Sequence, residues 1–366
     1  MRVLILTFDP PENIGGIENR GSQYTRELAK EGHFVIMMSL FPGKSFAHRS
    51  LEGMQLLEGP SSMAALPSTC FRAVAMMEHE GIDSLMVLSG SQSAFGVLLL
   101  AYARLTHRPS MAFYYGRDIL YSRSGFTPRL LGMLSFALAG RLAVNSQYTR
   151  RLLPGNAIQK SVVIYPSVDI EGSPSKSPLR GEQGRRKVLF VGRLVPRKAV
   201  DVLLRAFKLA AAGRAELELD VVGDGPEMEN LVSLSKELRL SDCVRFLGSL
   251  RGPPLFDEFS KADILVLPSR TTENDAEGFG TVFIEAAMFG TPGIGTRTGG
   301  IPEAVVDGET GILVPQDDVV ALAHAMSRLL ADDDLRARMA DAARRRAVSN
   351  FSIAVSTHLI EEALAR

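Results

Sequence analysis

Short apolar runs bounded by turn residues alternate with longer stretches of helical period along almost the whole chain. Val3-Leu4-Ile5-Leu6, inside Arg2–Thr7, has the unbroken apolar character of a strand buried on both faces. The turn-rich stretch 9–16 follows and ends on Gly15-Gly16. Residues 18–32 then carry helical periodicity, and 34–40 form the next apolar run. Strand, loop, helix, strand is a β-α-β unit, which predicts parallel strands and a right-handed crossover. The rhythm recurs at 84–88, 98–105, 110–114, 136–139 and 142–146, and the strand-like Val162-Val163-Ile164-Tyr165 closes the series.

The pattern breaks over 171–186, where Gly172, Ser173, Pro174, Ser175, Ser177, Pro178, Gly181 and Gly184 crowd together as in a linker. A second series begins directly afterwards. Strands are predicted at 187–191, 217–222, 244–247, 264–268 and 293–294, with helices at 201–211, 228–238, 255–261 and 283–289. Helices at 319–330, 334–349 and 353–365 end the chain. The expected fold class is therefore α/β: two Rossmann-like, doubly wound domains, 1–168 and 187–349, joined by the linker 169–186. Such domains hold a ligand at the carboxyl ends of their strands, here in a central cleft that the two domains would face.

Composition narrows the class. The 366 residues are enough for two domains, and 46% hydrophobic with 22% charged residues is a globular balance. Zero net charge argues against a general nucleic-acid binder. The charge is nonetheless uneven, with 16 Lys+Arg against 11 Asp+Glu in residues 1–165 and 25 against 30 in the remainder. Between Ile119 and Val168 there is no carboxylate, only Arg123, Arg129, Arg141, Arg150, Arg151 and Lys160. That segment (119–168) is either a peripheral contact for anionic lipid or a phosphate-bearing acceptor, or an ordinary helix with a solvated basic face. Cys70 and Cys243 stand far apart without a metal-binding spacing and are expected to be reduced thiols. The first strand is reached without a signal-peptide pattern, and no apolar run approaches the ~18 residues of a membrane span. The expected location is the cytoplasm, with peripheral contact at the inner face of the membrane allowed.

Five stretches carry candidate chemistry. Gly15-Gly16, between strand and helix, lets the backbone approach a phosphate or sugar closely, although such a pair is more often a plain turn. Gly192-Arg193-Leu194-Val195-Pro196-Arg197-Lys198 puts Arg193 and Lys198 at one strand end, where fixed cations can stabilise the charge that builds on a departing diphosphate. Arg197 is expected to be less constrained and to face water. The turn 223–227 is mainly structural. Glu277-Gly278-Phe279-Gly280-Thr281 with Glu285 is the most specific: a loop carboxylate, a glycine-rich turn opening a helix, and a second carboxylate one turn in, able to accept from ribose hydroxyls. Tyr115-Gly116-Arg117-Asp118 follows a strand of the first series, with Tyr115 and Asp118 expected to face the cleft. The run Asp332-Asp333-Asp334 is expected to serve a helix N-terminus and not a metal.

These stretches resemble the family 4 retaining glycosyltransferases of GT-B fold, also known as glycosyl transferases group 1. The resemblance lies in Gly192-Arg193-Leu194 with Lys198, in Pro268-Ser269 followed by Glu277-Gly278-Phe279-Gly280 and Glu285-Ala286, and in Gly299-Gly300-Ile301-Pro302-Glu303 with Asp307-Gly308 and Gly311. It covers about residues 187–316, and more loosely Gly15-Gly16 and 115–118. It implies that Arg193 and Lys198 bind the donor diphosphate, that Glu285 holds the ribose, and that Glu277 lies against the donor sugar. Backbone groups of Phe279, Gly280 and Thr281 would contact sugar and phosphate, Gly16 would approach the diphosphate, and base contacts would fall around 247–250, with Leu250 among them. The last helix would cross back onto the first, acceptor-binding domain. The implied partners are a nucleotide-sugar donor and a glycan or lipid-linked acceptor, with no metal and no cofactor. Three departures stand out: Tyr115 replaces the family's frequent His, Ala199 replaces a Gly that a helix start should not need, and 271–276 lengthens the loop before Glu277. A sugar-nucleotide 2-epimerase of the same architecture and a non-catalytic nucleotide-sugar binder are the competing readings.

Overall fold

The computed structural model describes residues 1–7, 16–39, 54–57, 66–122, 125–168, 185–212, 216–272 and 275–365. The chain divides into two compact units, one formed by Met1–Asp169 with Ile353–Arg366 and the other by Ile170–Ser352.

The first unit runs β1 (Arg2–Thr7), α1 (Gly16–Lys30), β2 (Phe34–Ser39), β3 (Met54–Leu57), α2 (Leu66–His79), β4 (Ser84–Val87) and α3 (Ala94–Leu105). It continues through β5 (Ser110–Tyr114), α4 (Arg117–Tyr121), α5 (Phe126–Leu138), β6 (Arg141–Val144), α6 (Gln147–Leu152), α7 (Gly155–Ile158) and β7 (Ser161–Val163). All seven strands pair in parallel, in the order β3-β2-β1-β4-β5-β6-β7. Helices cover both faces, which is why β1 and β4 carry the unbroken apolar runs Val3–Leu6 and Leu85–Val87 and do not alternate. On one face α2, α3 and α5 bury Met77, Leu99, Leu100 and Phe136 against Leu4, Leu6 and Val87. On the other, Tyr24 and Leu28 of α1 meet Val3, Ile5 and Val35.

The second unit runs β8 (Arg186–Val191), α8 (Val200–Ala210), β9 (Leu217–Val222), α9 (Met228–Glu237), β10 (Val244–Gly248), α10 (Pro253–Lys261) and β11 (Ile264–Leu267). Then come α11 (Thr281–Met288), β12 (Gly293–Thr296), α12 (Ile301–Ala304), β13 (Gly311–Val314), α13 (Val319–Ala331) and α14 (Asp333–Asn350). Its six strands are also parallel, in the order β10-β9-β8-β11-β12-β13. In this order the chain reverses its direction of growth between β8 and β11, which leaves a crevice outside their carboxyl ends. Asp332 caps α14 by accepting the Leu335 N–H at 2.8 Å, and Asp333 pairs with Arg186 and Arg336, so the acidic run serves a helix terminus.

The final helix, α15 (Ile353–Ala365), belongs to the first unit. Ile360 and Leu364 are buried with Tyr24 and Leu28, and Ser356 Oγ donates to the Tyr165 carbonyl at 3.1 Å. Three differences from the sequence reading concern the first unit. Residues 136–139 are no separate element but the last turn of α5 and its cap. The strand β3 and the helix α2 had no counterpart in the apolar pattern; β3 is four residues long and lies at the sheet edge. Most of the stretch read as a linker, 169–184, lies outside the described residues.

Candidate active site

The crevice of the second unit is built from four loops at strand carboxyl ends. After β8 the chain makes an extended loop and then a single 3-10 turn, Pro196–Lys198. Gly192 N–H donates to the Val222 carbonyl at 3.0 Å and Leu194 N–H to the Asp224 carbonyl at 2.9 Å, so the loops after β8 and β9 are laced together. The approach is close enough that a Cβ on Gly223 would lie 1.8 Å from the Gly192 oxygen. The loops after β11 and β12 are joined in the same way. Gly300 N–H donates to the Glu277 carbonyl at 2.8 Å, and a Cβ on Gly300 would lie 2.1 Å from the Gly278 oxygen. Arg270 N–H bonds the Arg197 carbonyl at 2.8 Å, while its guanidinium holds Asp201 at 2.8 and 2.9 Å. The loop after β11 is thereby fastened to that after β8 and to the start of α8.

At the centre of these loops lies Glu277, 9% exposed. One carboxylate oxygen, Oε2, accepts from Lys198 Nζ at 2.6 Å, from the Arg197 guanidinium, and from Ser269 Oγ at 3.3 Å. Arg197 Nε also pairs with Asp275 at 3.1 Å. Two cations thus meet two anions, and the cluster is neutral overall. Burial by itself would raise the Glu277 carboxyl, but the Lys198 ammonium and the Arg197 guanidinium outweigh it and hold the group down at about 2. Burial pushes the Lys198 ammonium down from its usual value, against the pull of Glu277. Arg197 is shifted upward: burial acts against its charge, and Glu277 and Asp275 more than compensate.

Lys198 and Glu277, predicted from sequences 79 residues apart, are therefore in direct contact. Arg193 is exposed and takes no part in this cluster. The water-facing assignment of Arg197 is corrected: its side chain is 18% exposed and ion-paired on two sides, because the 3-10 turn aims it, like Lys198, at Glu277. Asp275, from the lengthened loop, was also missed; an acid two positions before Glu277 and a base next to Lys198 were the available signals. Ala199 also differs from expectation. It adopts φ 51° and ψ 41°, the left-handed region in which a Cβ is disfavoured, so a Gly there has a backbone reason.

The remaining candidates fall as follows. Gly280, φ 88°, precedes α11, and Thr281 opens that helix. Glu285 is half-buried one turn further on. The Phe279 ring packs edge-on against Phe351 at 5.4 Å, so only its backbone is available to a ligand. Leu250 is half-buried between β10 and α10. In the first unit, Asp118 Oδ2 accepts the Tyr115 N–H at 3.0 Å, which closes the turn between β5 and α4. Gly16 opens α1, and Gly15 lies outside the described residues. Among the described histidines, none follows the carboxyl end of a strand; His33, just before β2, bridges the N-terminus and Glu361.

Comparison with known proteins agrees across both units. Residues 175–346 match the family described as "Glycosyl transferases group 1", and residues 14–171 match "Glycosyltransferase Family 4". The chain is 27% identical to a GDP-mannose-dependent alpha-(1-6)-phosphatidylinositol monomannoside mannosyltransferase of Mycolicibacterium smegmatis, over 95% of this chain and 94% of that protein. It is also 27% identical to a glycogen synthase of Mycobacterium tuberculosis, over 96% and 91% of the two chains. Among solved structures it resembles a sucrose-phosphate synthase from Thermosynechococcus elongatus (TM-score 0.80, 22% identity, 99% and 97% covered). Anabaena HepE, solved with UDP and glucose, is similar at TM-score 0.77 and 21% identity, with 100% and 99% covered. The two matched regions span nearly the whole chain, each on one doubly wound unit: the chain belongs to glycosyltransferase family 4, and it is a glycosyltransferase of GT-B fold.

Proposed function

We propose that this enzyme takes a sugar from a UDP- or GDP-sugar and passes it, with retention at the anomeric carbon, to a hydroxyl of a glycan or lipid-linked intermediate of cell-envelope or polysaccharide synthesis. The second unit is the donor-binding domain and the first the acceptor-binding domain. The observation that carries this reading is the buried Glu277–Lys198–Arg197 cluster at the switch point of the second sheet. A diphosphate entering there meets Lys198, already charged and aimed by Glu277, and Arg193, exposed on the same loop. As the glycosidic bond breaks, negative charge moves onto the diphosphate, and these cations stabilise it without a metal or cofactor. Lys198 then shares its protons between carboxylate and phosphate, and Glu277 turns its second oxygen to the donor sugar. Glu285 holds the ribose, Phe279, Gly280 and Thr281 offer backbone groups, Leu250 borders the base, and Gly16 approaches the phosphates. In the first unit, Tyr115 and Asp118 border the acceptor. The acceptor hydroxyl attacks from the leaving-group face and loses its proton to a phosphate oxygen. The enzyme works in the cytoplasm, with segment 119–168 at the inner face of the membrane. GDP-mannose is the donor named for the mycolicibacterial relative and UDP the ligand in HepE, so both belong in the test.

The test is a panel of UDP- and GDP-sugars incubated with and without a lipid extract. Acceptor-dependent nucleotide release and a retained anomer by proton NMR support the reading. An inverted anomer refutes retention, and epimer formation without acceptor refutes transfer.

A further inference from the structure

Helices that cover a sheet ordinarily turn large apolar side chains inward and polar ones outward. On α5 this order is reversed. Phe126, Leu130, Met133, Leu134 and Ala137 recur at the spacing of a single helical stripe, and that stripe faces solvent, with Phe126 83% and Met133 60% exposed. The inward positions are Gly132, Ser135 and Phe136. The neighbouring α3 buries Phe95, Leu99 and Leu100 in the ordinary way but adds Leu98 and Leu105 to the exposed side, the latter 80% exposed. Among the described residues, every large apolar side chain left exposed in the first unit lies on α2, α3 or α5, all on one side of the sheet. The second unit has only scattered examples, such as Leu209 and Val320.

The surrounding charge has a single sign. Residues 94–168 contain nine Lys+Arg and one carboxylate, Asp118. Asp118 is engaged with the Tyr115 backbone, while Arg104, Arg129 and Arg151 are exposed. Lys160 closes the carboxyl end of α5 by donating to the Ala137 and Ala139 carbonyls at 3.1 and 2.7 Å.

We propose that the outward face of α3 and α5 is a membrane-docking surface, which lays Leu98, Phe126, Leu130 and Met133 into the headgroup–acyl boundary of an anionic bilayer. An exposed apolar stripe rimmed by Arg and Lys is the pattern of helices that lie in that boundary plane. Charge selects the occupant. A second copy docked on the same face would set one basic rim against another, whereas anionic headgroups complement it. The inference rests on and deepens the membrane location proposed above for segment 119–168, and it does not depend on the transfer reaction. It also goes beyond charge alone, because it makes insertion of named apolar side chains the basis of binding.

The chain contains no tryptophan, so a single introduced indole reports its own site. Leu98→Trp, Phe126→Trp and Met133→Trp are compared with Val320→Trp, on the second unit. With vesicles of phosphatidylglycerol and phosphatidylethanolamine, the first three are expected to shift to the blue and to be quenched by brominated lipid, while Val320→Trp stays unchanged. Phosphatidylcholine vesicles should give at least tenfold weaker binding. Leu130→Ser with Met133→Ser should lower affinity for anionic vesicles on the order of tenfold or more, with unaltered urea unfolding, because both side chains are already exposed. Absence of a shift at all three sites overturns the proposal, as does an equal shift in Val320→Trp. A shift that follows protein concentration without vesicles overturns it in favour of self-association. None of these readouts requires turnover, so a failure of the transferase reading leaves them intact.

Discussion

Glu277→Gln keeps the shape of the side chain and removes its charge, leaving Lys198 and Arg197 buried beside a neutral amide. The attraction lost is large: at 2.6 Å and an effective dielectric of about 20, the Lys198–Glu277 pair alone is worth about 6 kcal/mol before desolvation. Burial of both charges cancels much of that. The remainder follows from the carboxyl itself, held at about 2 against an ordinary 4.5, a contribution of about 3 kcal/mol. This agrees with the ~3–5 kcal/mol lost when one partner of a buried pair is removed. The sign with pH follows from the direction of the shift. Because the folded-state value is depressed, the stabilisation is complete above the unfolded value near 4.5 and is lost as pH falls through about 2. Urea unfolding of wild type and Glu277→Gln, followed by circular dichroism at pH 7, 5 and 3, should therefore show a gap of about 3 kcal/mol at the first two and about half of that at pH 3. Superimposed transitions at pH 7, or a gap that widens on acidification, would refute the reasoning.

Other consequences can be checked directly. Lys198→Ala should reduce nucleotide release with the active donor by on the order of 10²-fold or more, since it removes the buried cation assigned to the leaving group; steady-state rates decide it. Gly300→Ala forces a Cβ to 2.1 Å from a backbone oxygen that cannot move aside, so the loops after β11 and β12 must separate. The expected loss is about 3 kcal/mol or more by urea unfolding, with weaker binding of UDP or GDP by titration calorimetry. Asp220 is fully buried and accepts from Arg245 at 2.7 and 2.8 Å and from Lys187 at 2.9 Å. Asp220→Asn should cost about 3–5 kcal/mol without changing the apparent affinity for donor, because the pair sits within the sheet and away from the strand ends.

Legibility followed the local or non-local origin of each feature. Largely buried strands such as Arg2–Thr7 and Arg186–Val191 announced themselves by apolar runs of four residues, Val3–Leu6 and Val188–Val191, and with them the parallel α/β class. The short edge strand Met54–Leu57 did not, because four residues at the sheet margin carry too little pattern. Helix α5 was legible only at 136–139, because apolar residues lie both on its outward stripe and at the buried Phe136, which blurs its period. At the site, Lys198 and Glu277 were legible because each sits in a loop after a strand, Lys198 in a basic one and Glu277 beside Gly278 and Gly280. Arg197 was not, since nothing in the run Pro-Arg-Lys tells which base will be buried.

The sequence by itself determined the element types, the two doubly wound series and the loops that hold the candidate chemistry, because these depend on residues close together in the chain. Only the tertiary structure decided that β8 and β11 stand side by side, which brings Lys198 and Arg197 onto one oxygen of Glu277 and neutralises the cluster. It alone decided that α5 turns Phe126, Leu130, Met133 and Leu134 to solvent, whereas the crossing of Ile353–Ala365 back to the first unit was already implied by the family resemblance. Burial and charge pairing are sums over residues far apart in sequence, so no window along the chain contains them.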